Sequence, residues 1–176
     1  MADHLVAVTA VGNDRPGIVA GVTRVLFELG CNLEDATSTI LRGHFAMMLV
    51  VRIPEAQDAA TIEEQLATTA AELGLVVTVR DVEPTAPQAV SPTHIIAVYG
   101  ADRPGLVYRV ADVLARSGAN ITDLTSRVTG TDDHPVYAVV MEAQVRDVES
   151  AQAGLSDLKL ELGIDVTVRP LATDVF

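Results

Sequence analysis

Two short stretches hold the residues best suited to bind something. They are Gly12, Asn13, Asp14, Arg15, Pro16, Gly17 and Ile18, and then Gly100, Ala101, Asp102, Arg103, Pro104, Gly105 and Leu106. In each, an Arg-Pro-Gly turn precedes an apolar helical period, so the turn opens a helix. The first N–H groups of a helix have no intrahelical partner and carry partial positive charge, which suits an anion. Gly17 and Gly105 let that anion approach the backbone. Asp14 and Asp102 stand just outside, where a carboxylate can take an ammonium group. A carboxylate binder beside an ammonium acceptor is the chemistry of a site for a free α-amino acid. The plainer reading is an ordinary helix start, since Asp is favoured there by capping alone.

The match between the stretches runs well beyond the turn. Gly12 reappears as Gly100, and the same offset holds through Ser38 and Ser126 with about half the positions identical, Val19/Val107, Leu26/Leu114 and Asn32/Asn120 among them. Two copies at so long a period mean a duplicated domain rather than a solenoid. Residues 1–83 and 94–176 are read as the two domains. Residues 84–93, rich in proline and without apolar periodicity, are read as a linker.

The elements that position the loops follow from pattern. His4–Val11 reads as a strand and Pro16 as the first helical residue, where its missing N–H costs nothing. Ile18, Val22, Val25, Leu26 and Leu29 keep a helical period that Gly30 ends. Leu33–Leu41 and Phe45–Ile53 flank the hairpin signal Arg42-Gly43. Ala59–Leu73 is a second helix and Leu75–Asp81 a last strand. Phe45, Met47 and Leu49 alternate with Ala46 and Met48, as across a buried strand. The second copy repeats the order over Ile95–Tyr99, Gly105–Ser117, Ile121–Thr129, Val136–Ala143, Val148–Leu162 and Ile164–Arg169, with GTDDHP read as a longer hairpin. Each copy is βαββαβ, the ferredoxin-like unit of the α+β class: an antiparallel four-stranded sheet with both helices on one face.

Asn32 and Asn120 lie just past their helices, about 20 Å from their own loops at ~1.5 Å per residue. A neighbouring domain packed antiparallel would bring its Asn beside the loop. The geometry therefore suggests composite sites, whereas a helix-exit residue is the commoner role for Asn.

The βαββαβ order with Asp-Arg-Pro-Gly-(Ile/Leu) and a later Gly-x-Asn-(Leu/Ile)-x-Asp resembles the ACT family of small regulatory modules. That resemblance covers nearly the whole chain as two units. It implies amino-acid binding at interfaces between paired domains, with Gly12, Asp14 and Gly17, Gly100, Asp102 and Gly105, and Asn32 and Asn120 as site positions. In serine-binding members the residue before Arg-Pro-Gly is Asn, with His two positions earlier. Asp and Gly stand there in this chain, so the resemblance implies an amino acid without naming serine. Tandem units without a catalytic domain resemble the glycine cleavage system transcriptional repressor family. Formyltetrahydrofolate deformylases and some phosphoserine phosphatases carry the same phrase ahead of catalytic domains.

Composition narrows the partners. The formal charge is −12 and the sequence pI about 4.5. That sign opposes a direct grip on nucleic acid or an anionic membrane surface. Under the repressor likeness it implies action through a protein partner. Cys31 is the single cysteine, which precludes an internal disulfide and suits a reducing interior. The N-terminus lacks a signal-peptide pattern, so a cytoplasmic protein is expected. Aromatic residues make up only 3% of the chain, too few for base-stacking strands of an RNA-binding sheet. His4, His44, His94 and His134 lack zinc spacing, Asp132-Asp133 lacks the further carboxylates of a calcium loop, and neither a nucleotide-phosphate motif nor a nucleophile turn is present. No cofactor and no catalytic residue is expected. Edge strands of such small sheets favour a homodimer. The alternative to a sensor is a non-sensing subunit that regulates a partner by sheet-edge assembly.

Overall fold

The computed structural model describes residues 4–83, 90–131 and 134–171. They form two compact units, each taken by itself. The first contains β1 (Leu5–Asn13), α1 (Ile18–Glu28), β2 (Asn32–Leu41), β3 (His44–Arg52), α2 (Ala59–Leu73) and β4 (Leu75–Val82). The second contains β5 (His94–Gly100), α3 (Leu106–Arg116), β6 (Asn120–Thr131), β7 (His134–Gln144), α4 (Val148–Leu162) and β8 (Asp165–Pro170). Strand order is β2-β3-β1-β4 and β6-β7-β5-β8, antiparallel throughout, so each unit is the expected α+β ferredoxin-like βαββαβ fold.

Alternation along the strands makes one face of each sheet apolar enough to need a helix layer. Val6, Val8 and Ala10 of β1 join Phe45, Met47 and Leu49 of β3 beneath Ile18, Val22 and Leu26 of α1 and Ile62, Leu66 and Ala70 of α2. Ile96, Val98, Val139 and Met141 meet Leu106, Val110, Leu114, Ala151 and Leu155 in the same way. Only one side of β3 is buried, however. Met48 is 48% exposed on the face away from the helices.

Both second helices start at an aspartate cap. Asp58 accepts from Thr61 N–H at 2.8 Å and Asp147 from Ser150 N–H at 2.9 Å. Proline at the first helical position is corrected by the structure. α1 and α3 begin at Ile18 and Leu106, with Gly17 and Gly105 as N-caps at φ 96° and 86°. Pro16 and Pro104 sit one residue ahead, because the chain must turn through a left-handed residue before the helix can run.

Arg42 and Gly43, both at positive φ, close the first hairpin between the paired Leu41 and His44, as a two-residue turn of that hand requires. A longer second hairpin is also corrected. Pairing continues to Thr131 opposite His134, so the strands rather than the loop are extended; Asp132 and Asp133 lie outside the described residues.

The two edges of the first sheet differ. Glu63 of α2 accepts the Val79 N–H of β4 at 2.7 Å and so occupies one outward-facing donor of that edge. Every residue of β2 is exposed, and the strand is bulged between Leu33 and Asp35; β6 is bulged likewise between Ile121 and Asp123. Among the described residues no helix is long and apolar enough to cross a membrane.

Candidate functional site

The repeated motif folds into the same structure twice, and its residues divide by task. Gly12 lies next to the end of β1, beneath the turn between α2 and β4. A Cβ there would lie 2.6 Å from the Gly74 carbonyl oxygen and 2.8 Å from Leu75 Cδ2. At Gly100 it would lie 2.7 Å from Ile164 Cγ2. These glycines therefore have a packing reason of their own, apart from any ligand. Asn13 and Ala101 are exposed beside them.

The Asp14 N–H is tied to the Gly43 carbonyl at 2.8 Å, which fixes the loop against the hairpin. The carboxylates of Asp14 and Asp102 do not cap the helices: α1 and α3 have no side-chain cap hydrogen bond. Both carboxylates are exposed and without a side-chain partner among the described residues. Ordinary helix capping therefore does not account for the aspartate.

Arg15 and Arg103 have turned back on the scaffold. Arg15 Nη1 donates to the Glu72 carbonyl at 3.2 Å, and Arg103 Nη1 donates to the Leu162 carbonyl at 3.3 Å. Each guanidinium thus clasps the last turn of the second helix, where carbonyls lack partners and the helix dipole is negative. Pro16 and Pro104 are exposed in the turn. A Cβ on Gly17 or Gly105 would meet nothing within 4 Å, so their glycine is required by φ, and the space before the helix is open. Ile18 and Leu106 turn into the core, 2% and 4% exposed.

Asn32 and Asn120 open β2 and β6, at the other end of α1 and α3. They are not brought to their own loops, and they differ from one another. Asn32 Nδ2 donates to Glu34 Oε1 at 2.8 Å, and Arg52 Nε donates to the same oxygen at 2.9 Å. Those two donors, Arg52 foremost, hold the Glu34 carboxyl below its ordinary range. In the second unit the bulge residue is Thr122, whose hydroxyl donates to the Glu142 carbonyl, and the Asn120 amide has no partner among the described residues.

One feature escaped sequence reasoning. A cavity of about 110 Å³ lies against the second loop, lined by Ala101, Arg103, Pro104, Arg109, Leu162 and Ile164, among others. Its signal was a difference between the copies: Arg109 stands where the first repeat has Gly21. The Arg109 guanidinium pairs with the Glu161 carboxylate, which raises its pKa further. Among the described residues no group of three or more His, Cys, Asp or Glu side chains is placed to hold a metal ion.

Residues 4–80 and 94–157 each match a family model for the ACT domain. The chain is a tandem of two ACT domains. It resembles the glycine cleavage system transcriptional repressor of Escherichia coli K12, at 29% identity over 86% of this chain and 80% of that one. A UPF0237 protein of Methanopyrus kandleri is 45% identical over 42% of this chain and 82% of its own length. Among solved structures, a protein of unknown function from Galdieria sulphuraria superposes with a TM-score of 0.79 at 25% identity, covering 96% of this chain and 99% of that one.

Proposed function

We propose that this tandem ACT protein is a ligand-sensing regulator whose signal is a free amino acid bound at the repeated loops. The ligand carboxylate faces the open helix start, and its ammonium group faces Asp14 or Asp102. An Asn from another domain, Asn32 or Asn120, completes each site. Binding favours one arrangement of domains over others and so alters a surface read by a protein partner. The regulator works as a homodimer, in the manner of a glycine cleavage repressor, and carries no catalytic step.

One observation carries this reading: in both units the aspartate carboxylate is left without a partner among the described residues, beside a helix start with no side-chain cap, while the arginine next to it is committed to the scaffold. A motif kept only for folding would use its aspartate as well.

The test is thermal unfolding of the full chain against the twenty amino acids. Ligand at ~100-fold over its dissociation constant adds about 2.7 kcal/mol, which raises the midpoint by roughly 10–20 °C for a domain of this size. Joint replacement of Asp14 and Asp102 by Ala abolishes the shift and leaves the unliganded midpoint in place. No shift with any amino acid would sink the proposal.

A second reading is favoured by β2, exposed along its whole length with Leu33, Ile40 and Leu41 at 46%, 56% and 66%. In it the chain is an assembly subunit that acts by sheet-edge pairing, and the aspartate variants keep full partner binding.

A further inference from the structure

The two loops have diverged, and the divergence starts at a helix crossing. In the first unit α1 and α2 close together at the loop end. A Cβ on Gly21 would lie 2.9 Å from Leu73 Cδ1 and 3.3 Å from Thr69 Cγ2. In the second unit the tight point lies a turn or two further from the loop, where a Cβ on Gly154 of α4 would lie 2.8 Å from Val113 Cγ1 of α3. The loop end of α3 is freed from that constraint, and Arg109 occupies the place of Gly21.

We propose that the second loop alone grips a small carboxylate in the cavity beneath Ala101, with Arg109 as the specificity-determining residue. The proposal takes its ligand class from the amino-acid reading above and assigns that reading to one of the two repeats.

Three observations support it. First, two arginines, Arg103 and Arg109, line the cavity. Arg103 is fixed by its bond to the Leu162 carbonyl, which leaves most of its five N–H donors free. Second, Arg109 is held by an exposed carboxylate: the Arg109 and Glu161 side chains are 42% and 58% exposed. A solvated pair of this kind is weak, so a carboxylate offered from the cavity side, between Pro104, Leu162 and Ile164, competes with it for the planar fork. Glu161 then acts as a displaceable stand-in for the ligand. Third, size sets the ligand class. The cavity is small, about 110 Å³. Acetate, glycine and alanine are the carboxylates that suit so small a cavity best. The first unit offers only Arg15, and Leu73 and Thr69 fill the space that a side chain at position 21 would need.

Titration calorimetry on the full chain tests this, with acetate, glycine, alanine and phenylalanine as probes. One ligand per chain is expected for glycine or alanine. Arg109→Gln weakens it at least tenfold, Arg109→Lys weakens it less, and Glu161→Gln tightens it by removing the competitor. The unliganded midpoint of each variant, unchanged from wild type, shows that the fold is intact. Equal affinity in Arg109→Gln and wild type, or tight phenylalanine binding that depends on Arg109, overturns the proposal. Amino-acid binding that needs Asp102 but ignores Arg109 overturns it while leaving the sensor reading standing. Binding through Arg109 in which acetate matches glycine keeps the cavity and defeats the sensor. Absence of binding by every probe ends both.

Discussion

Within the motif, neighbouring residues answer to different forces. Gly12 is set by packing, Gly17 by φ, and Arg15 by the carbonyls at the end of α2. Gly12→Ala forces a Cβ against backbone at 2.6 Å and is expected to cost about 1–3 kcal/mol, read by chemical denaturation, whether or not ligand is present. A ligand residue would instead leave the unliganded stability unchanged. Glu34 gives a pH test with a definite sign. Its pKa is lowered in the fold, so its contribution is full above the ordinary glutamate range and is lost as pH falls through the lowered value. The stability gap between wild type and Glu34→Gln is therefore widest at neutral pH and closes in acid. A gap that widens on acidification would contradict the Asn32–Glu34–Arg52 arrangement. The aspartate stood out in the sequence as a candidate because its type and place recur. The arginine clasp was not, since its acceptor lies 57 residues away and is a carbonyl that every residue type offers.

Among the elements, helix and strand order were legible because the two periodicities are strong and glycine or aspartate marks most of their ends. α2 and α4 have the limits read from the sequence, each between an aspartate cap and a left-handed glycine. The entry to α1 was misplaced because proline suits a first helical turn by its own φ, and only the backbone shows that Gly17 must turn first. The bulge that places Glu34 and Thr122 is a register effect, invisible to alternation in so polar a strand. β2 gives the element-scale prediction. Ile40→Lys on the exposed edge is expected to shift a dimer toward monomer in sedimentation velocity, with the far-UV spectrum unchanged. Unchanged association would move the dimer contact away from this edge.

For the whole molecule, each unit has its own buried cluster, Val6 to Val79 in the first and Ile96 to Ile164 in the second. Limited proteolysis is expected to cut first within residues 84–93 and to release two fragments that each keep a cooperative unfolding transition. Loss of cooperativity in either fragment would show that the units depend on one another for stability. Duplication was legible from end to end. What duplication hid was the drift since: glycine in one copy and arginine in the other at the same helix position, and an asparagine pinned in one copy and without a partner among the described residues in the other.

The carboxylate that Glu63 places on the Val79 N–H bears on stoichiometry. A sheet that can add a strand at either side has a valence of two, and identical copies then grow into a ribbon without limit. Glu63 occupies one outward N–H of β4, so a strand added at that edge has to displace it, whereas β2 is exposed along its whole length. That bias favours pairing through β2, and a pair joined at two β2 edges leaves the two obstructed edges outermost.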